Sequence, residues 1–181
     1  MASHEAHGIL PVPALDPAPH MLLVAAPFYR RIADDMIAGA TAALDAIGAT
    51  YDLVEVPGAL EIPTAIRLAA PTGRFDGFVA LGCVIRGETT HYDTVCNDSS
   101  RAIQLLGLEG ISIGNGILTV ENMDQAAVRA DPNAMNKGGG AAEAALHLIA
   151  LARRFASGRD RGPARAPEGE ILMASAETGK A

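Results

Sequence analysis

Tryptophan is absent from this chain of 181 residues, and aromatic side chains are scarce, with four Phe and three Tyr. A core without large rings must be filled by aliphatic side chains, and these are plentiful, the apolar share being 49%. That share excludes a disordered or fibrous chain and predicts one compact domain. Cysteine is nearly missing as well. Cys83 and Cys96 stand thirteen residues apart, which fits neither a zinc-ligand spacing nor a secreted disulfide framework. Both are expected to be small buried thiols in a reducing compartment. Basic residues are in deficit, with 14 Lys and Arg against 21 Asp and Glu and a net charge of −7. A general nucleic-acid-binding surface is thereby excluded, and any anion site must be local. No apolar run reaches the roughly 18 residues of a membrane span. The opening stretch MASHEAHGILPVPALDPAPH lacks the basic and apolar regions of a secretory signal. The expectation is a soluble cytoplasmic protein with neither nucleic acid nor membrane as partner.

Residues 1–20 are rich in Pro, Ala and His without periodicity and predict an extended arm. Residues 157–181 are rich in Gly, Pro and charge and predict a disordered tail. Between them, over 21–156, strand and helix patterns alternate. MLLVAA is a short apolar run, and in the segment after it Ile32, Met36, Ala40, Leu44 and Ile47 share one helical face, with Gly48 as a stop. TYDLVEV alternates as a strand does; PGALEIP turns into a helix over TAIRLAAPTG. FDGFVALGCVI is the nearly unbroken apolar run of a central parallel strand covered on both faces. A helix over 91–108, the strand GISIGNGILTV, and two helices separated at Asp131-Pro132 complete the order. Such alternation predicts a parallel sheet with helices on both sides. Ligands of such folds bind beyond the carboxyl ends of the strands, where PFYRR, PGALEIP and RGETTHYD fall.

In RGETTHYD, Gly87 permits a tight exit from the strand, and Thr89 and Thr90 stand at the start of the next helix. A helix N-terminus offers unpaired N–H groups to an anion, and threonine hydroxyls add donors; simple N-capping accounts equally for the threonines. His91, in the first turn, is the side chain best suited to move protons near neutrality. Arg129 and Lys137 flank the break at Pro132. Helix-end electrostatics explains them, and so does a phosphate clamp in which Arg supplies a planar fork. The glycines at 138–140 allow a ligand or partner to approach the backbone closely. Glu61, in a turn, serves either as a capping acid or as a group that binds an amino-substituted ring. No P-loop is present, and GISIGNGIL lies within a strand, so it is not a dinucleotide fingerprint.

Four segments, VPGALEIP, ALGCVIRGETTHYD, GNGILTVEN and RADPNAMNKG, together resemble the signature blocks of the 6,7-dimethyl-8-ribityllumazine synthase family, in order and spacing, from about residue 20 to 156. The resemblance implies a flavodoxin-like three-layer α/β/α sandwich around a central parallel four-stranded sheet. It implies a transferase of riboflavin biosynthesis that condenses 5-amino-6-(D-ribitylamino)uracil with 3,4-dihydroxy-2-butanone 4-phosphate, releasing phosphate and water, with no metal or redox cofactor. By the same resemblance Phe28 stacks on the pyrimidine, and Ala59, Leu60 and Glu61 line the ribityl pocket. Backbone groups at Cys83, Val84 and Ile85 read the uracil edge. Gly87, Glu88 and Thr89 hold the phosphate with Arg129, His91 transfers protons, and Lys137 lies close by. The family places its sites between neighbouring subunits, with the fourth-strand segment around Asn115 supplied by the adjacent chain, and assembles as pentamers or larger shells. Riboflavin synthase is a further partner by the same implication.

The chain departs from the family pattern at Pro27, where a basic or polar residue often precedes the aromatic, and at Leu60 and Asn115, where aromatics are frequent. ADPNAM replaces the kink common in shell-forming members, which favours a pentamer. A flavin-binding protein and a purely structural assembly on the same scaffold remain open alternatives to the enzyme at this point.

Overall fold

The computed structural model describes residues 10–159. The predicted arm is thus described only from residue 10, and the predicted tail only as far as 159. Residues 10–19 run without regular structure into β1 (His20–Ala25). There follow α1 (Arg30–Asp45), β2 (Thr50–Glu55), α2 (Glu61–Ala69), β3 (Gly77–Ile85), α3 (His91–Leu108), β4 (Ile113–Val120), α4 (Met123–Ala130) and α5 (Lys137–Arg159). The four strands form one parallel sheet in the order β2-β1-β3-β4. This is the three-layer α/β/α architecture that the sequence predicts.

Strand burial follows position in the sheet. β3 is central and is buried along its first seven residues, whereas the edge strand β2 is largely exposed. On one face Leu23, Val79 and Leu118 pack against Ile32, Met36 and Leu44 of α1 and Ala142, Leu146 and Ile149 of α5. On the other face Val24, Phe78 and Ala80 meet Ile62 and Ile66 of α2 and Ile103 and Leu106 of α3. Each fully buried aliphatic side chain of this kind contributes roughly 1.5–3 kcal/mol. With aromatics nearly absent, close backbone packing supplies contact as well. A Cβ at Gly138 would overlap the Met36 carbonyl, and one at Gly114 would overlap the Ala141 carbonyl. Gly138, at the start of α5, therefore lets that helix approach α1 of the same chain.

Several element boundaries differ from the sequence prediction by a few residues, and two show the physical cause. α2 begins at Glu61 rather than at Thr64, because Pro63 sits in the first turn, where its missing N–H breaks no helical bond. α1 stops at Asp45 and closes through a turn in which Gly48 takes φ 70°.

The break at Pro132 is a compact turn. Asp131 accepts through Oδ1 from the Asn133 N–H at 2.8 Å, and Asn136, at φ 44°, accepts through Oδ1 from the Gly139 N–H at 3.1 Å. Asn136 thus caps the start of α5.

Candidate active site

β1 and β3 are neighbours, yet β1 leads to α1 on one face of the sheet and β3 leads to α3 on the other. Chain segments part at such a switch point and leave a crevice beyond the strand ends. The crevice here holds about 480 Å³, a volume suited to a small organic ligand.

Its walls come from the ends of three of the four strands. Phe28 and Tyr29 follow β1; residues 57–61, with Ala59, Leu60 and Glu61, follow β2; Cys83, Val84 and Ile85 end β3. Gly87, Thr89 and His91 close the side where α3 starts. Phe28 is 73% exposed and meets Tyr29 edge-on, ring centroids 5.1 Å apart. An exposed ring at the lip of a crevice offers a flat apolar surface on which a planar ligand can stack.

Backbone polarity is exposed at the floor. Pairing between β1 and β3 ends at Ala25 and Leu81, with one further bond from the Ala26 N–H to the Leu81 carbonyl at 2.8 Å. β3 continues to Ile85, paired there with β4 only. Along Gly82–Ile85 the groups on the β1 side thus have no strand partner, and a planar ligand edge with its own donors and acceptors can take that place.

The helix starts add a second kind of polarity. Tyr29, Leu60 and Thr90 are the N-cap residues of α1, α2 and α3, and none of these makes a side-chain capping bond. Three helix N-termini thus border one crevice with their first N–H groups uncapped by these side chains, which favours an anion or developing negative charge there. By contrast α4, away from the crevice, is capped by Asn122, whose Oδ1 accepts from the Gln125 N–H at 3.0 Å. Thr89 Oγ1 accepts weakly from the His91 N–H at 3.4 Å. Glu61 is the first residue of α2, with its carboxylate folded back over Gly58.

Burial pushes the Cys83 thiol up to about 11, so this wall residue is a neutral group near neutrality. Burial also raises Cys96 and Tyr92, and the neighbouring Cys96 raises the phenol further.

None of the residues lining the crevice is Lys or Arg. Arg129 and Lys137 instead line a second hollow of about 440 Å³, with Asn115 and the following residues of β4. The division has a topological cause: β4 is the edge strand beyond β3, and α4 and α5 pack on the face opposite α3. One chain alone therefore does not bring Arg129 and Lys137 to His91. Arg129 is held by its own helix, donating to the Gln125 carbonyl at 3.1 Å. Asn115 Oδ1 accepts from the Ile117 N–H at 3.0 Å. Glu88 is exposed in the loop between Gly87 and Thr89 and lines neither cavity.

Tyr29, Pro57, Gly58, Tyr92 and Val95 also line the crevice, although the motif reading does not single them out. Tyr92 and Val95 were within reach of that reading, since they stand one and four residues beyond His91 on the same helix. Among the described residues no three His, Cys, Asp or Glu side chains cluster as a metal site, and no helix is long and apolar enough to cross a membrane.

The family model described as 6,7-dimethyl-8-ribityllumazine synthase matches residues 18–153. A protein of that name from Jannaschia sp. (strain CCS1) is 54% identical over 155 residues, covering 86% of each chain. One from Sphingopyxis alaskensis is 55% identical over 139 residues, 77% of this chain and 99% of its own. A third, from Bartonella tribocorum, is 54% identical over 143 residues, 78% of this chain and 95% of its own.

Proposed function

As the chain belongs to the 6,7-dimethyl-8-ribityllumazine synthase family, we propose that the crevice of one copy and the cationic hollow of its neighbour together form its active site. The chain is a transferase of riboflavin biosynthesis. It condenses 5-amino-6-(D-ribitylamino)uracil with 3,4-dihydroxy-2-butanone 4-phosphate to 6,7-dimethyl-8-ribityllumazine, releasing phosphate and water.

The observation that carries the proposal is the separation of charges. A crevice meant for a phosphate-bearing substrate has no cation in its lining, while Arg129 and Lys137 wait in another cavity of the same chain. A head-to-tail ring of copies brings one to the other. We assign the ring as a homopentamer in the cytoplasm, with riboflavin synthase as the enzyme that consumes its product.

Each role follows from what a residue offers. Phe28 stacks on the pyrimidine, and the unpaired β3 edge at Cys83, Val84 and Ile85 reads its donors and acceptors. Ala59, Leu60 and Glu61 take the ribityl chain, with the Glu61 carboxylate accepting from hydroxyls. Leu60 contributes apolar contact in place of a ring, and the neighbour's hollow contributes Asn115. The phosphate lies at the start of α3, against Gly87, Glu88 and Thr89, with Arg129 from the adjacent copy.

The chemistry needs proton movement more than a strong electrophile. Imine formation, loss of phosphate and ring closure each shift protons, and His91 stands where they are exchanged, with Lys137 supplied from the neighbour. Helix N-termini and cations offset charge on the leaving phosphate.

The test is the appearance of the fluorescent lumazine from both substrates, measured against an enzyme-free blank. Acceleration well above the blank is expected. A rate equal to the blank, together with tight riboflavin binding, would replace the enzyme by a flavin-binding protein.

A further inference from the structure

Arg86 lies between two crevice-lining residues, Ile85 and Gly87, without lining the crevice itself. Its backbone N–H donates to the Val120 carbonyl at 2.9 Å, extending the pairing of β3 with β4. Its side chain makes three more contacts. Nε donates to Glu121 Oε2 at 2.8 Å, just past the end of β4, and Nη1 reaches Asp93 Oδ1 at 3.4 Å in the first turn of α3. The guanidinium lies 4.0 Å from the ring centroid of Tyr92. Asp93 and Tyr92 directly follow His91.

That first turn has little else to fix it. Thr90 occupies the N-cap without a capping bond, and the Thr89 hydroxyl contact to the His91 N–H is long, at 3.4 Å. Resting on the active-site reading above, we propose that Arg86 is a positioning residue for the reaction. It braces the first turn of α3 against the end of β4 and so sets where the His91 imidazole meets the substrate.

Two features separate this role from phosphate binding. The guanidinium charge is taken by two carboxylates, and its face by an aromatic ring, so little of it is left for an anion. Only a planar, forked cation makes all these contacts together, so lysine is a poor substitute.

A matching pair on the other side of the crevice supports the geometry. Arg30, at the start of α1, donates through Nη2 to Glu55 Oε2 at 3.1 Å, at the end of β2. In both places an arginine that follows an inner strand holds the end of the adjacent outer strand.

The experiment compares wild type, Arg86→Ala, Arg86→Lys and the double variant Glu121→Ala/Asp93→Ala. Arg74→Ala serves as the control, because it removes the exposed Arg74–Asp52 ion pair (3.1 Å), outside both cavities. Misplacement of a catalytic group by about 1 Å costs up to about a hundredfold. Arg86→Ala is therefore expected to lower kcat by about tenfold or more, with KM for both substrates within about twofold of wild type. Added guanidinium should restore part of that loss, Arg86→Lys should recover less than half of it, and the His91 ring proton signals should move in Arg86→Ala but not in Arg74→Ala.

A wild-type kcat in Arg86→Ala, or a loss confined to KM for the phosphate-bearing substrate, would overturn the role. Should Arg86→Ala fail to assemble, the double variant decides. It keeps the arginine but removes both of its side-chain acceptors, so a wild-type kcat there overturns the role in the same way. A wild-type enzyme no faster than the blank would instead remove the reaction itself, and this role with it.

Discussion

Gly138 lies directly against the carbonyl of Met36, with no room between them for even a methyl group. The first turn of α5 is therefore seated on α1 by backbone contact, and Met36 itself is fully buried beneath it.

Gly138→Ala forces backbone apart, and overpacking of this kind costs roughly 1–3 kcal/mol. Gly107→Ala, in α3, meets nothing within 4 Å and should gain about 0.5–1 kcal/mol of helix propensity. For a domain of this size each kcal/mol moves Tm by roughly 2–4 °C. Thermal unfolding of the two variants should thus shift in opposite directions; equal melting would contradict the close α1–α5 contact.

The glycines also show what the sequence could and could not reveal. The unbroken apolar run of β3 and the polar burst after it made the central strand, the start of α3 and the position of His91 legible. The run 138–140 signalled close approach without saying to what, because only the fold shows α1 on the other side. The free edge of β3 was hidden for a similar reason. It exists because β3 has nine residues and β1 six, an offset that appears only once the register is set. Arg86 stood in plain view within the motif, but its partners Glu121 and Asp93 come together only through the β3–β4 pairing.

Protonation of Cys83 ties alkaline stability to the wall of the crevice. An unfolded thiol ionises near about 8.5, whereas the folded Cys83 thiol is raised by burial to about 11. Its contribution is complete below the unfolded value and is lost as pH climbs through the folded one. Denaturant unfolding from pH 8 to 11 should show a steeper loss in wild type than in Cys83→Ala. At pH 8 a thiol reagent should modify the more exposed Cys96 before the buried Cys83. Fast modification of Cys83 would contradict its burial.

If His91 is the proposed proton-transfer group, His91→Ala should lower turnover by about a hundredfold or more and leave the proposed oligomer intact in sedimentation. Dissociation would place His91 in the subunit contact instead. Arg129→Ala should act on the other kinetic constant. Loss of a charge-assisted contact worth roughly 1.5–3 kcal/mol should raise KM for the phosphate-bearing substrate by about tenfold or more. An unchanged KM would remove Arg129 from the phosphate site.

The most direct test of a site shared between copies is to mix these two variants. His91→Ala chains keep an intact hollow and Arg129→Ala chains keep an intact crevice, so in a co-assembled ring some neighbours restore a complete site. With equal amounts and random mixing, about one site in four is complete, because a crevice-intact chain must meet a hollow-intact neighbour. Assayed with the phosphate-bearing substrate well below its KM, where Arg129→Ala is slow, the co-assembled mixture should rise above either variant alone, towards about a quarter of the wild-type rate. A mixture no more active than the average of its two components, despite proven co-assembly, would show that each chain carries its whole site and would contradict the account.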